Sequence, residues 1–189
     1  MGTLRRASHF VLRDGRPVQV RSATPSDARA VRTLMDASAA EPGTPILHVA
    51  GSSSLRSLRG ELGDAALARD RLMLVAHVDG VLVGHLVLAG STHPYARHVC
   101  ELGIAVAADA RGLGVGAALL DVALPWAARH PFSRVCASVF PHNERALRFL
   151  EAHGFTREGV RRERFWRVDR YFDEVLLSRP LTAAGRDVP

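Results

Sequence analysis

The chain contains no lysine: all 25 of its lysine-or-arginine positions are arginine. Total absence of one residue type points to a compositional bias of the source genome more than to a chemical choice. It still excludes one function class, the nucleotide-binding loop that ends in Gly-Lys and needs that lysine on the phosphates. Cysteine is scarce as well. Cys100 and Cys136 each sit inside an apolar run without the spacing of a zinc site, so they read as buried reduced thiols ahead of a disulfide or a metal pair. The nine histidines are scattered without a ligand pattern, and no metal is expected. No apolar stretch approaches the ~20 residues of a membrane span. The opening MGTLRRASHFVLRDG has an arginine pair but no apolar core of signal-peptide length. A cytoplasmic protein with no membrane partner is the expectation.

What is present is an ordinary globular balance, 47% hydrophobic and 23% charged in 189 residues, with a net charge of +6. That length suits one domain, expected over residues 9–180, with flexible ends at 1–8 and 181–189. The positive balance favours an anionic partner. Nucleic acid would be the obvious one, but the arginines are spread along the chain. The one cluster, Arg161, Arg162, Arg164, Arg167 and Arg170, is interleaved with Phe165, Trp166 and Tyr171. That pattern reads as the solvated face of a strand ahead of a nucleic-acid platform.

Hydrophobic period and turn residues order the elements. Two short strands flank Asp14–Gly15 within residues 9–23. A helix follows in TPSDARAVRTLMDASA, with Thr24 as N-cap, Pro25 at the first helical position, and Ala28, Val31, Leu34 and Met35 on one face. Residues 41–54 read as a loop and LRSLRGELGDAALARD as a second helix. The clearest hairpin turns at Asp79–Gly80. Next come the strand HVCELGIAVAADA and a helix to about Arg129 that Pro125 should kink or end early. The strand RVCASVF, the short helix NERALRFLEAH stopped by Gly154, and two strands turning at Val168–Asp169 complete the chain. The sum is a mixed α/β fold, helices on a mostly antiparallel sheet.

The stretch DARGLGVGA, residues 109–117, places glycines 112, 114 and 116 where a helix begins. Each costs about 1 kcal/mol relative to alanine inside a helix, so the turn must need backbone in place of side chains. Free N–H groups at a helix N-terminus, with its dipole behind them, form an anion site. Gly112, Gly114 and Ala117 match the dinucleotide fingerprint G-x-G-x-x-A literally. That fingerprint belongs directly after the first strand, with an acidic residue ending the next strand; here AADAR intervenes and the next strand ends in Phe140–Pro141.

The same residues fit R-x-x-G-x-G through Arg111, Gly114 and Gly116, which resembles the acyl-coenzyme-A pyrophosphate loop of the GNAT superfamily of N-acetyltransferases. Asn143, Ala146, Gly154 and Phe155 in NERALRFLEAHGF resemble that superfamily's second signature, and VQVRSATPSDA and VDRYFDEVLLS resemble its opening and closing elements. The resemblance covers roughly residues 9–180. It implies a sheet splayed between two parallel strands, residues 98–107 and 134–140, and acetyl-CoA as co-substrate. Main-chain groups of Ile104, Ala105 and Val106 would hold the pantetheine arm. Arg111 and the amides of Gly112, Leu113, Gly114, Val115, Gly116 and Ala117 would hold the pyrophosphate, with Asn143 and Ala146 alongside. The implied reaction is acetyl transfer to a primary amine of a small molecule or protein by direct attack through a tetrahedral intermediate. A homodimer is a possible assembly of such proteins.

Glu101, in the otherwise apolar VCELGIAV, is the candidate general base, since a carboxylate on a mainly buried strand is costly unless paired or facing a cleft. The other role open to it is pairing with an arginine at the sheet surface. The superfamily's usual proton-donating tyrosine is replaced here by Leu150. That leaves three readings: thiolate departing unassisted, another donor such as Tyr171, His142 or water, or an acyl-CoA-binding module of weak activity. For the acceptor, Asp36 and Glu41 could hold a cationic amine, and His93, Arg97 and His98 an anionic one.

Overall fold

Asp79 and Gly80, at φ of 50° and 78°, fold β3 (Arg71–Val78) back onto β4 (Val81–Gly90). Such a two-residue turn matches the twist of adjacent antiparallel strands. The computed structural model describes residues 4, 6–41, 54–167 and 169–181. Within them, β1 (Ser8–Val11) and β2 (Pro17–Ser22) join across Asp14–Gly15, and β2 runs antiparallel to β3. On the other side β5 (Val99–Val106) pairs antiparallel with β4 and parallel with β6 (Arg134–Val139). β7 (Thr156–Arg167) and β8 (Arg170–Pro180) close one eight-stranded sheet of order β1-β2-β3-β4-β5-β6-β8-β7. The sheet is mixed and mostly antiparallel, and its parallel pair, β5 with β6, lies where the family resemblance implies it. The loop expected at 41–54 lies almost wholly outside the described residues.

A parallel pair needs a crossover, and α3 (Val115–Ala128) is part of it. Leu119, Leu120, Ala123 and Ala127 of this helix are fully buried against Leu72, Leu74, Leu86 and Leu88 of the sheet. Pro125 neither ends nor shortens α3: the helix runs three residues past it, with the proline exposed on the outer side. α4 (Glu144–Ala152) packs on the same side through Leu147 and Leu150. It stops at Gly154, whose φ of 80° is the left-handed conformation of a helix C-terminus. The opposite face of the sheet carries α1 (Ala28–Ala40) and α2 (Leu55–Leu67), which bury Ala28, Val31, Leu62 and Ala65 against Met73 and Val75.

The entry to α1 is a single tight turn, Pro25–Asp27, not regular α-helix. Its anchor is Asp27, only 9% exposed, which accepts both Arg21 guanidinium nitrogens at 2.7 Å and the Thr24 N and Oγ1 groups at 2.8 Å. Burial opposes ionisation, but the Arg21 and Thr24 bonds outweigh it and hold the carboxyl at about 2, against an ordinary 3.8. A depressed carboxyl contributes stability above its unfolded pKa and loses it as pH falls through the folded value, here on the order of 2 kcal/mol. Asp27→Asn is therefore expected to lower the melting temperature at pH 7 by roughly 5 °C. The gap to wild type should close between pH 4 and 2, as followed by circular dichroism melts. A gap undiminished at pH 2 would assign the effect to packing.

Candidate active site

The β5–β6 pairing covers only Val99–Leu102 against Arg134–Ala137. Beyond it the strands part, because β5 stays on β4 through Val106 while β6 stays on β8 through Val139. The edge of Gly103–Val106 that faces β6 is therefore left without a strand partner. An extended ligand can use such an edge as another strand would.

Past this wedge the chain makes one tight turn at Ala108–Ala110 and enters the glycine stretch. Gly112 and Gly114 take φ of 80° and 107°, and Gly114 is the N-cap of α3, where no side chain caps the helix. Among the described residues no acceptor meets the six amides from Gly112 to Ala117. Six uncapped donors at the positive end of a long helix fit a diphosphate. The stretch is held in place from a distant part of the chain. Arg13 N donates to Leu113 O at 2.9 Å, and Arg13 Nη1 reaches Gly112 O at 3.3 Å. Gly116 has a second reason to be glycine, since a Cβ there would lie 3.0 Å from the Phe149 ring of α4.

These parts enclose a cleft of about 500 Å³ lined on one side by Ile104, Ala105 and Val106, and along the turn by Arg111, Gly112, Gly114, Gly116 and Ala117. Asn143 and Ala146 line it from α4, with Asn143 Oδ1 accepting Ala146 N at 3.1 Å as the helix cap. The structure thus brings most of the expected coenzyme residues to one place. Leu113 and Val115 take part through the stretch's amides, but Val115 turns its side chain into the core and Leu113 packs partly against it. Arg111 differs from expectation. Its Nε donates to Val106 O at 2.9 Å and its two Nη groups clamp Glu41 at 2.5 and 2.6 Å. Its guanidinium is spent on tying the wedge to the end of α1, and this pairing draws the Glu41 carboxyl below its usual range. Glu41 is thereby taken up in that pair and not presented to an amine.

The family model of the acetyltransferase (GNAT) family matches residues 42–155. The chain belongs to the GNAT family. It is 30% identical over 110 residues to an L-amino acid N-acetyltransferase of Escherichia coli K12, covering 56% of this chain and 66% of that protein. It is 34% identical over 121 residues to a phosphinothricin N-acetyltransferase of Alcaligenes faecalis, covering 61% and 60%. The chain thus spans a little under two thirds of the length of the curated relatives it matches. In fold it is similar to a phosphinothricin acetyltransferase of Sinorhizobium meliloti solved with acetyl-CoA, at TM-score 0.79 and 19% identity, covering 90% of this chain and 93% of that one.

The GNAT sheet places Glu101 outside the cleft, on the α1–α2 face, level with Cys136 of β6. Loss of water around its carboxyl raises it above the usual range, Arg161 opposes the shift, and Glu174 adds to it. Cys136, beside it, is pushed up to about 11 by burial and by Glu101, and Cys100 to about 12. Both cysteines are free, and neither is a thiolate near neutral pH. Leu150 is buried in the core, so no proton donor stands at that position. Tyr171 is exposed and packs on Trp166 at the β7–β8 hairpin. His142 lines the cleft and lies against Phe140 and Phe172. Burial and Arg170 hold His142 below the usual histidine range. His93 accepts Tyr95 N at 3.3 Å and caps the turn at Pro94–Ala96.

Of the arginine cluster, Arg162 pairs with Asp173 at 2.9 Å and Arg170 lies over the Phe172 ring at 4.6 Å, while Arg161 and Arg164 meet on Glu174. Among the described residues no three His, Cys, Asp or Glu side chains gather as a metal site, and no helix is long and apolar enough to cross a membrane. Sequence reasoning missed Arg13, Arg145 and Phe149 as cleft residues. Arg13 carries no local signal, because it meets the glycine stretch 99 positions away. Phe149 could have been found, since it lies three residues after Ala146 on the same side of the helix.

Proposed function

We propose that this chain is an acetyl-CoA-dependent N-acetyltransferase acting on a primary amine. The observation that carries the reading is the strand wedge opening onto six unpartnered amides. The GNAT match and the acetyltransferase names of the relatives support it. Residues 9–180 act as one domain, in the cytoplasm, where the two thiols remain reduced.

Acetyl-CoA supplies the thioester. The amides of Gly112 to Ala117 hold its diphosphate, and the free edge of Ile104 to Val106 holds its pantetheine arm. A main-chain N–H near Val106 faces the oxygen on which negative charge develops. A primary amine with pKa ~10.4 costs about 4.6 kcal/mol to deprotonate at pH 7, whereas a thiol near 8.5 costs only about 2 kcal/mol. Removing the amine proton is the larger task, and Glu101 performs it, directly or through water. Thiolate leaves without an acid, consistent with Leu150 in the core and with His142 held below the usual histidine range.

Coenzyme A release, followed with a thiol reagent over a panel of amines, tests the reading. Release that depends on an amine is expected. Leu150 supports a second reading, an acyl-CoA-binding module of weak activity. Tight acetyl-CoA binding without release for any amine would favour that one.

A further inference from the structure

On the α1–α2 face, strands β5 to β8 carry charged side chains among apolar ones, and one of the charged groups is buried. Glu174 of β8 is only 5% exposed. Two arginines of β7 converge on it: Arg161 Nη1 lies 3.1 Å, and Arg164 Nε 3.7 Å, from the same oxygen, Oε2. Residues three apart on a strand ordinarily point to opposite faces. They point together here because β7 is bulged. Arg161 is opposite Glu174 and Phe165 opposite Phe172, so three β7 residues stand against Asp173 alone. Asp173 holds the bulge by accepting Glu163 N at 2.8 Å and Arg162 Nη1 at 2.9 Å, with Glu163 at a φ of 50°. Bulges re-aim side chains, and a strained non-glycine residue often marks a functional position.

The result is an excess of positive charge. One buried carboxylate anchors two guanidiniums, each more than half exposed, and that of Arg164 also lies over the Phe165 ring at 5.7 Å. Glu101 shares this face. Its register partner is Cys136, which pairs with Ser178, and Glu174 follows on the same side of β8. Three strand spacings, about 14 Å, and a four-residue offset of ~13 Å separate the Glu101 and Arg161 backbones. Long side chains reaching inward from both ends leave room for a small amino acid between them. Arg161 and Glu174 lie close enough that their charges act on the Glu101 carboxyl. Phe140, Phe165 and Phe172, with centroids 5.3 and 5.6 Å from the Phe140 ring, make an apolar floor beside the pair.

We propose that Arg161 and Arg164, positioned by Glu174, bind a carboxylate of the amine acceptor while Glu101 receives its amine. The acceptor is then an amino acid, not a plain amine. This rests on the acetyl-transfer reading above and assigns its preference for a carboxylate to Arg161, Arg164 and Glu174.

The test is steady-state kinetics at saturating acetyl-CoA with the twenty L-amino acids, each against its carboxamide, and with 5-aminopentanoate against pentylamine. At least one free acid should exceed its carboxamide 10-fold or more in kcat/KM, mainly through KM. A preference confined to the 5-aminopentanoate pair would place the carboxylate farther from the amine. Arg161→Gln and Arg164→Gln should each raise KM for that acid about 10-fold. They should leave the carboxamide and acetyl-CoA constants unchanged, and Arg161→Lys should restore part of the loss. Glu174→Gln should act like the double change; if it fails to fold, the two exposed arginine variants still decide. Carboxamides and plain amines used as well as the acids, or variants that slow acids and carboxamides alike, would overturn the proposal with acetyl transfer intact. If no amine releases coenzyme A, the acetyl-transfer reading fails. Calorimetric titration with the free acids then decides the subsite: heat lost in Arg161→Gln supports it, and absence of binding in wild type overturns it.

Discussion

Gly114→Val is expected to reduce acetyl-CoA affinity at least 100-fold, measured by isothermal titration calorimetry, while the chain still folds. Gly114 holds a φ of 107° as the N-cap of α3, a region essentially closed to a β-branched residue. Strain on the order of 1–3 kcal/mol follows, enough to lower the melting temperature by a few degrees and not to unfold the protein. A Cβ there meets nothing nearer than Leu12 Cδ2 at 4.0 Å, so the penalty is conformational. The backbone relieves it by rotating, and the amides of Leu113 to Gly116 then no longer converge. Unaltered affinity in a folded variant would show that the diphosphate is held elsewhere.

Glu101→Gln is expected to lower kcat by a factor on the order of 10²–10⁴, the usual contribution of a general base, and to spare acetyl-CoA affinity. The pH profile adds a second reading. A base works only when ionised, so the rate should rise with pH through the Glu101 pKa. That midpoint lies above the ordinary 4.5, because lost hydration and the Glu174 charge outweigh Arg161. The charged groups acting on it are Arg161 from β7 and Glu174 from β8. The variant should lose this acidic limb. An unchanged rate would reduce Glu101 to a surface charge.

Much of this site was legible before any coordinates. Glycines 112, 114 and 116 stand where a helix starts, and that local conflict, poor helix formers at a helix entrance, has few physical resolutions. That Asn143 begins a helix, with Ala146 in its first turn, was legible because cap and helix spacing are properties of neighbours in the chain. The partner that Arg111 takes in the fold was not legible. Its position three residues before Gly114 predicts a phosphate contact, yet its partner is Glu41, 70 positions away. Pro125 misled in the other direction. The rule that proline breaks helices is local, and the burial of Leu124, Trp126 and Ala127 on either side carries α3 past it.

Local chemistry therefore settled the order of the elements, the uncapped entrance to α3 and the turn at Asp79–Gly80, since each depends on backbone conformation within a few residues. Which side chains meet across the sheet was decided only by the fold. The parting of β5 from β6, the Arg13 clamp on the glycine stretch, and the bulge that gathers Arg161 and Arg164 on Glu174 all depend on strand register. Register is set by which apolar faces bury together, and no short stretch of the chain contains that information.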